Sequence, residues 1–375
     1  MPGLALGPAA TLPADVNTIA YSLNISPPAH PGAALSRVLC HHPGRLLRSR
    51  TVTSGQEPAV PAGPIWAAEI VVTPDFAARL ISEQFPELGS ASVTVLATGW
   101  DNTAFVVDDH WLFRFPRREI AVPGVRREMA VLPRLAPRLP LAIPDPVFAG
   151  QPAEHYRWPF FGARLLAGGE LAESGLSESG RGPAAAQVGS FLRELHDPGL
   201  IPLVADAGLP ADPMRRASPA VRAGKAREML DRLVHRGLWP AADEVSQFLD
   251  RAAAEPDGTA LAGGAPGDGP LVVSHGDFHV RHLLVDGGAA TGVIDWGDLC
   301  LADPAVDLSL GYLGFAGTAR ADLLAAYGRP VTPRRELAAR TCAISVGAAL
   351  AEYAADEDRP ALLAESLAGL RRAVS

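Results

Sequence analysis

The stretch that decides the fold reads Val273-Ser274-His275-Gly276-Asp277-Phe278-His279-Val280-Arg281-His282-Leu283-Leu284-Val285, then Asp286-Gly287-Gly288, then Thr291-Gly292-Val293-Ile294-Asp295-Trp296. Apolar runs on both sides of a glycine turn predict a β-hairpin. If the hairpin is symmetric about residues 288 and 289, His282 stands opposite Asp295, and directly opposed residues bring their Cβ atoms to about 4.5–5.5 Å. Two metal-ligating side chains therefore converge. Asp277 precedes them in the loop entering the first strand, where it faces whatever the pair holds. One carboxylate can orient an attacking hydroxyl while another holds the divalent ion that neutralises phosphate charge, which is the division of labour in phosphoryl transfer.

Upstream of the hairpin, Thr73-Pro74 opens a helix with a hydroxyl cap and a proline in the first turn, and Phe76, Ala77, Leu80 and Ile81 share one face of it. Val93–Leu96 and Ala104–Val107 read as strands around the turn Gly99-Trp100-Asp101-Asn102, and Trp111–Phe115 as a third. Arg126–Leu135 is helical, with Pro133 bending or ending it. Val147-Phe148 and Phe160–Leu166 read as further strands. From Trp66 to Gly169 this is a small sheet-rich lobe with an embedded helix. Beyond it, Ala184–Leu195, Ala223–His235, Ala241–Ala254, Ala319–Ala326, Arg335–Ala355 and Ala361–Arg372 are helical by composition and spacing. The fold class expected is α+β with two lobes, and 375 residues are too many for one compact core.

Composition narrows the partners. Hydrophobic residues make up 48% and charged ones 20%, as in a globular chain, and no apolar run reaches the roughly 18 residues of a membrane span. A net charge of -8 argues against duplex nucleic acid, and a cationic small molecule suits it better. Cys40, Cys300 and Cys342 are odd in number and far apart, which encodes neither a disulfide framework nor a thiolate zinc site and suits the cytoplasm. Residues 1–64 hold ten prolines, six glycines and only six charged residues, a composition that predicts disorder. Their first arginine is Arg37, so the positive start of a secretory signal is missing. The chain's only lysine is Lys225, so any positive charge on a phosphate must come from arginine.

His275-Gly276-Asp277 followed by His282, then Ile294-Asp295-Trp296 and Asp303-Pro304-Ala305-Val306-Asp307, resembles the signature of the aminoglycoside and macrolide phosphotransferases, which share the protein-kinase-like fold. The resemblance spans roughly residues 66–372. It implies a nucleotide-covering lobe over residues 65–164 and a lobe over 165–375 holding the catalytic loop, metal site and acceptor-binding helices. By the same resemblance Asp277 is the catalytic base and Asp295 the principal Mg²⁺ ligand. His282 takes the place of a metal-binding asparagine, as in the macrolide enzymes. Arg114 in Leu112-Phe113-Arg114-Phe115 becomes the cation on the phosphates of ATP or GTP, fixed by Glu128 on the following helix. An arginine there binds phosphate oxygens as a planar fork. Gly99 and Asn102 belong to the turn covering the nucleotide. Arg164 and Leu166 lie in the segment Phe161-Gly162-Ala163-Arg164-Leu165-Leu166, whose backbone meets the base. The acceptor implied is a hydroxyl of a macrolide amino sugar, with an aminoglycoside second. Asp303 reads as a helix cap, Asp307 as a brace for the catalytic loop, Asp298 as an acid near the metal, and His196 and His279 as packing residues.

Two other readings compete. The run His275, Asp277, His279, His282 could be a zinc site of a metal-dependent hydrolase. It enters an apolar strand rather than a helix presenting ligands four apart, no histidine follows His282, and Arg114 and Glu128 would have no purpose. A nucleotide-binding module without catalysis is the other, and the presence of both Asp277 and Asp295 weighs against it.

Overall fold

Thr73 starts the first described helix as its sequence requires: its Oγ1 accepts from the Phe76 amide at 3.2 Å, and helix α1 (Pro74–Gln84) buries Ala77, Leu80 and Ile81. The computed structural model describes residues 68–99, 101–256 and 269–375. The expected disorder of residues 1–64, the start at Trp66 and the turn residue Trp100 lie outside them.

The α1 face covers a five-stranded antiparallel sheet in the order β1-β2-β3-β5-β4, made of β1 (Val93–Thr98), β2 (Asn102–Val107), β3 (Trp111–Pro116), β4 (Phe148–Gly150) and β5 (Phe160–Arg164). Phe85, Phe105, Phe113, Phe115, Tyr156 and Phe160 fill the space between helix and sheet. Helix α2 (Val122–Leu135) joins β3 to β4. Pro133 sits inside α2 and the helix stops two residues later, since the ring removes an N–H and crowds the preceding turn. Its last residues, Val131, Leu132 and Leu135, pack into the core of the helical lobe.

That lobe contains β6 (Gly169–Glu170), α3 (Gly182–Leu195), the single turn α4 (Ile201–Val204), α5 (Pro219–His235), α6 (Asp243–Ala253), β7 (Val272–Ser274), β8 (Leu283–Asp286), β9 (Ala289–Val293), β10 (Cys300–Ala302), α7 (Ala305–Leu313), α8 (Gly317–Tyr327), α9 (Pro333–Asp356) and α10 (Pro360–Val374). α9 is its axis and packs against α5, α7 and α10. Among the described residues no helix is long and apolar enough to cross a membrane.

The hairpin forms, with a different register from the one expected. Gly287 and Gly288, at φ +54° and +86°, form the two-residue turn, and Asp286 pairs with Ala289. A bulge at Thr291 then shifts the ladder, so that Leu283 faces Val293 and the Ile294 amide donates to the His282 carbonyl at 3.0 Å. His282 therefore stands across from Ile294, one residue short of Asp295. A one-residue slip normally turns a side chain to the other face. Here Asp295 has left the strand at φ +61°, and that left-handed turn swings its carboxylate back to His282.

Candidate active site

The loop carrying Asp277 leaves β7 through Gly276, whose φ of +85° favours a residue without Cβ. A Cβ there would lie 2.2 Å from the Asp298 carbonyl oxygen. Asp307 holds the loop from below, accepting from the His275 amide at 2.9 Å and the Gly276 amide at 3.1 Å, and the ring of His196 stands 3.2 Å from the same carboxylate. Asp303 accepts from the Ala305 amide at 2.8 Å at the start of α7. His275 spends both nitrogens on backbone, Nε2 donating to the Ile294 carbonyl and Nδ1 accepting from the Asp277 amide. It has no lone pair left for an ion. Gly276→Ala is expected to destabilise the protein by at least about 3 kcal/mol, from a left-handed alanine and a clash with rigid backbone, measured as a lower urea midpoint.

Asp277 is held by Arg216. Arg216 Nη2 donates to its Oδ1 at 2.8 Å while Nη1 donates to Asp298 Oδ2 at 2.8 Å. Burial alone would raise the Asp277 carboxyl, but Arg216 and then His279 override it and hold it well below the usual range. Asp277 is thus ionised at neutral pH, with Oδ2 turned toward His279 Nε2 at 3.6 Å. Arg216 comes from the segment before α5, 61 residues away in sequence, and no motif marks it. His279, read from the sequence as a packing residue, lies ring against ring with His282 at 3.7 Å between centroids. Asp277, His279 and His282 place one ligand atom each within 4.8 Å of one another.

His282 donates from Nδ1 to the Asp277 carbonyl at 2.6 Å, which leaves a lone pair on Nε2. Burial, then the neighbouring His279, keeps the ring neutral by lowering its pKa well below the usual value. Nε2 is buried with no hydrogen-bond partner and faces Asp295 Oδ2 at 3.7 Å. Two acceptors that face each other with no proton between them fit a cation, and one oxygen plus one imidazole nitrogen suits a divalent ion.

From the sheet lobe Arg114 reaches the same carboxylate. Its Nη1 donates to Glu128 Oε1 at 2.7 Å and its Nη2 to Asp295 Oδ1 at 3.0 Å, joining β3, α2 and the end of the hairpin. Burial raises Asp295 despite Arg114. Burial likewise raises Glu128 to about 7, against the pull of Arg114 and Arg127 and with the push of Asp295. As pH falls through that value Glu128 takes a proton and Arg114 loses one of its two buried counterions. Affinity for nucleotide is therefore expected to weaken on the acid side of neutrality, and Glu128→Gln to remain at the weak level throughout, as nucleotide titrations over a pH series would record. Stability responds in the opposite sense. The folded chain binds this proton more tightly than the unfolded one, so stability declines as pH rises from 4.5 toward 7.

The remaining residues expected at the nucleotide are spread along the sheet. Gly99 donates its amide to the Asn102 carbonyl at 2.8 Å, and its own carbonyl accepts from Arg117. Asn102 opens β2 with its Oδ1 buried and unpartnered. Arg164 ends β5 with its guanidinium 5.1 Å above the Trp111 ring, so its side chain is not gathered with Arg114 and Asp295. Leu166 lies beside Gly292, and the amide of Leu165 is already spent on the His110 carbonyl.

The model of the phosphotransferase enzyme family (APH) matches residues 92–339. The chain belongs to the phosphotransferase enzyme family. Its members transfer phosphate to hydroxyl groups of antibiotics, and the α+β, kinase-like architecture is theirs. Among solved structures, the GDP complex of wild-type aminoglycoside 2'-phosphotransferase-IIIa superposes with TM-score 0.56 at 21% identity, covering 81% of this chain and 99% of that one. A macrolide 2'-phosphotransferase type I gives TM-score 0.50 at 24% identity, covering 80% and 98%. The apoenzyme of the macrolide 2'-phosphotransferase MphH from Brachybacterium faecium gives 0.50 at 22%, covering 79% and 98%. At such identities the family likeness is one of fold. A comparison with curated proteins gives no match.

Proposed function

We propose that this phosphotransferase moves the γ-phosphoryl group of ATP or GTP to a hydroxyl of a small molecule, using Asp277 as the acceptor-side base. The observation that carries the reading is the line of groups at the interlobe junction: Asp277 ionised on Arg216, His282 Nε2 facing Asp295, and Asp295 tied to Arg114 and Glu128. Ligands bind preferentially at such junctions. The acceptor hydroxyl donates its hydrogen bond to Asp277 Oδ2, the oxygen not engaged by Arg216, and its oxygen is thereby aimed at the γ-phosphorus. Arg114 spreads two N–H donors toward phosphate oxygens, and Glu128 fixes its plane. Asp295 and His282 would hold Mg²⁺, which when bound neutralises charge on the β- and γ-phosphates. Mg²⁺ is usually held by one or two carboxylates plus phosphates, so Asp295 is the stronger ligand of the pair.

For the acceptor, the sequence puts forward a macrolide amino sugar through His282 and an aminoglycoside second. The cleft beside Asp277 is lined by Arg216, Arg222, Lys225 and Arg232 against a single other acid, Glu228, which weighs against a polycation. Buried, unpaired Cys300 and Cys342 and the nucleotide donor fit the cytoplasm. The test is incubation with nucleotide and Mg²⁺ and a mixed library of hydroxyl compounds, read by mass spectrometry for an added phosphate. Tight Mg²⁺-dependent nucleotide binding with transfer to a library member is expected. Hydrolysis of a library member without nucleotide would instead favour the metal-hydrolase reading.

A further inference from the structure

The cleft opening onto Asp277 lies between α5 and α9 and has a volume of about 230 Å³, below the roughly 300–1,000 Å³ of pockets for drug-sized ligands. Its charges are unevenly placed. Arg216 bridges Asp277 and Asp298, and Arg232 pairs with both oxygens of Glu352 at 2.6 and 2.9 Å. Arg222 and Lys225 remain, three apart on one face of α5, with Asp212 and Asp277 acting on Arg222 and Glu228 on Lys225 from beyond direct pairing. Arg222 is only 8% exposed. Its Nη2 donates to the Met214 carbonyl at 2.6 Å, and its buried Nε has no partner. Lys225, the only lysine beside 32 arginines, stands at the exposed rim with Glu228. Two like charges at this helical spacing repel each other. Burial lowers the Lys225 pKa, Arg222 and Arg216 add to it, and Glu228 opposes them. The rest of the lining, Met229, Val346, Ala349 and Leu350, is apolar.

Resting on the phosphotransfer reading above, we propose that the acceptor is a compact molecule bearing an anionic oxyacid group, which Arg222 and Lys225 hold while its hydroxyl meets Asp277. Its carbon skeleton lies over Met229, Val346 and Ala349. The hydroxyl oxygen forms a bond to the γ-phosphorus as the bond to the bridging β,γ-oxygen breaks. The nucleoside diphosphate leaves with that electron pair, and the hydroxyl proton passes to Asp277. The product is a phosphate ester that still carries the original anion.

The experiment compares small hydroxycarboxylates, sugar phosphates, neutral polyols, a macrolide and an aminoglycoside as acceptors, with nucleotide and Mg²⁺, reading added phosphate by mass. Turnover is expected on the anionic sets, and the first two arms separate carboxylate from phosphate. Lys225→Gln, a substitution at an exposed position, should raise KM for the anionic acceptor about tenfold, Arg222→Gln at least as much, and Lys225→Arg should restore it. Nucleotide affinity should not move in these variants. Preference for neutral or cationic acceptors, KM unchanged in Lys225→Gln and Arg222→Gln, or no transfer to any set by protein that binds Mg²⁺-nucleotide would each overturn the inference. Absence of Mg²⁺-dependent nucleotide binding would instead remove the phosphotransfer reading beneath it.

Discussion

Asp277→Asn is expected to bind nucleotide as the parent does and to lose about 10²–10⁴-fold in kcat, the usual cost of removing a positioned base. The size follows from how the carboxylate is held. Arg216 engages Oδ1 at 2.8 Å, and the asparagine carbonyl can keep that bond, so the loop and the Arg216–Asp298 pair stay in place. Only Oδ2 changes, from an anionic acceptor to an amide donor aimed at the incoming hydroxyl. KM for nucleotide should remain within about twofold, because Arg114, Glu128 and Asp295 are untouched. A second consequence separates this base from one tuned to neutrality. Asp277 is already ionised far below pH 7, so it contributes no acid limb near neutrality, and a limb seen there belongs to Glu128. Steady-state kinetics of the parent and Asp277→Asn would decide the matter, and full activity in the variant would remove the base assignment.

What the sequence shows of this site is what lies close together along the chain. Thr73 and Pro74 mark α1 because capping is a local matter, and short apolar runs bounded by turns mark β2 and β3. Gly276 and the paired Gly287-Gly288 announce their turns because positive φ favours glycine. The approach of His282 to Asp295 is legible too, although the route is not. A symmetric turn accounts for it on paper, whereas the fold uses a bulge at Thr291 and a left-handed Asp295. Long-range partners leave no such trace. Arg216 reaches Asp277 through tertiary packing, and among 32 arginines nothing distinguishes it. Of α7 only the start is legible, through the cap at Asp303: Ala305–Leu313 is buried on every side, so it has no polar face from which a helical period could be read. The two- and three-residue strands β6, β7 and β10 are too short to show alternation. His279 could have been found from its place in the His-x-Asp-x-His run, but its neighbour His282 only becomes its ring partner through the turn at residues 279–282.

Asp295→Ala should remove Mg²⁺-dependent nucleotide binding while leaving the fold intact. In the parent, Asp295 Oδ2 and His282 Nε2 face each other across 3.7 Å with no proton to share, an arrangement that repels until a cation enters. Deleting the carboxylate leaves a neutral imidazole as the ligand, and imidazole is a poor match for Mg²⁺. Changes one shell further out commonly cost about 10–100-fold in metal affinity, so loss of the carboxylate itself should cost about 100-fold or more. Arg114 keeps Glu128, so nucleotide binding without Mg²⁺ should hold. That divergence of the two affinities is what a merely unfolded variant could not produce. Alanine at φ +61° adds about 1 kcal/mol of backbone cost, which Asn, tolerant of that region, avoids. Asp295→Asn is therefore the cleaner comparison, with the same loss of Mg²⁺ dependence at unchanged thermal stability. Calorimetric titration of nucleotide with and without Mg²⁺ measures both. Equal Mg²⁺ dependence in the parent and in Asp295→Asn would place the ion elsewhere, with the cluster of Asp277, His279 and His282 the remaining candidate.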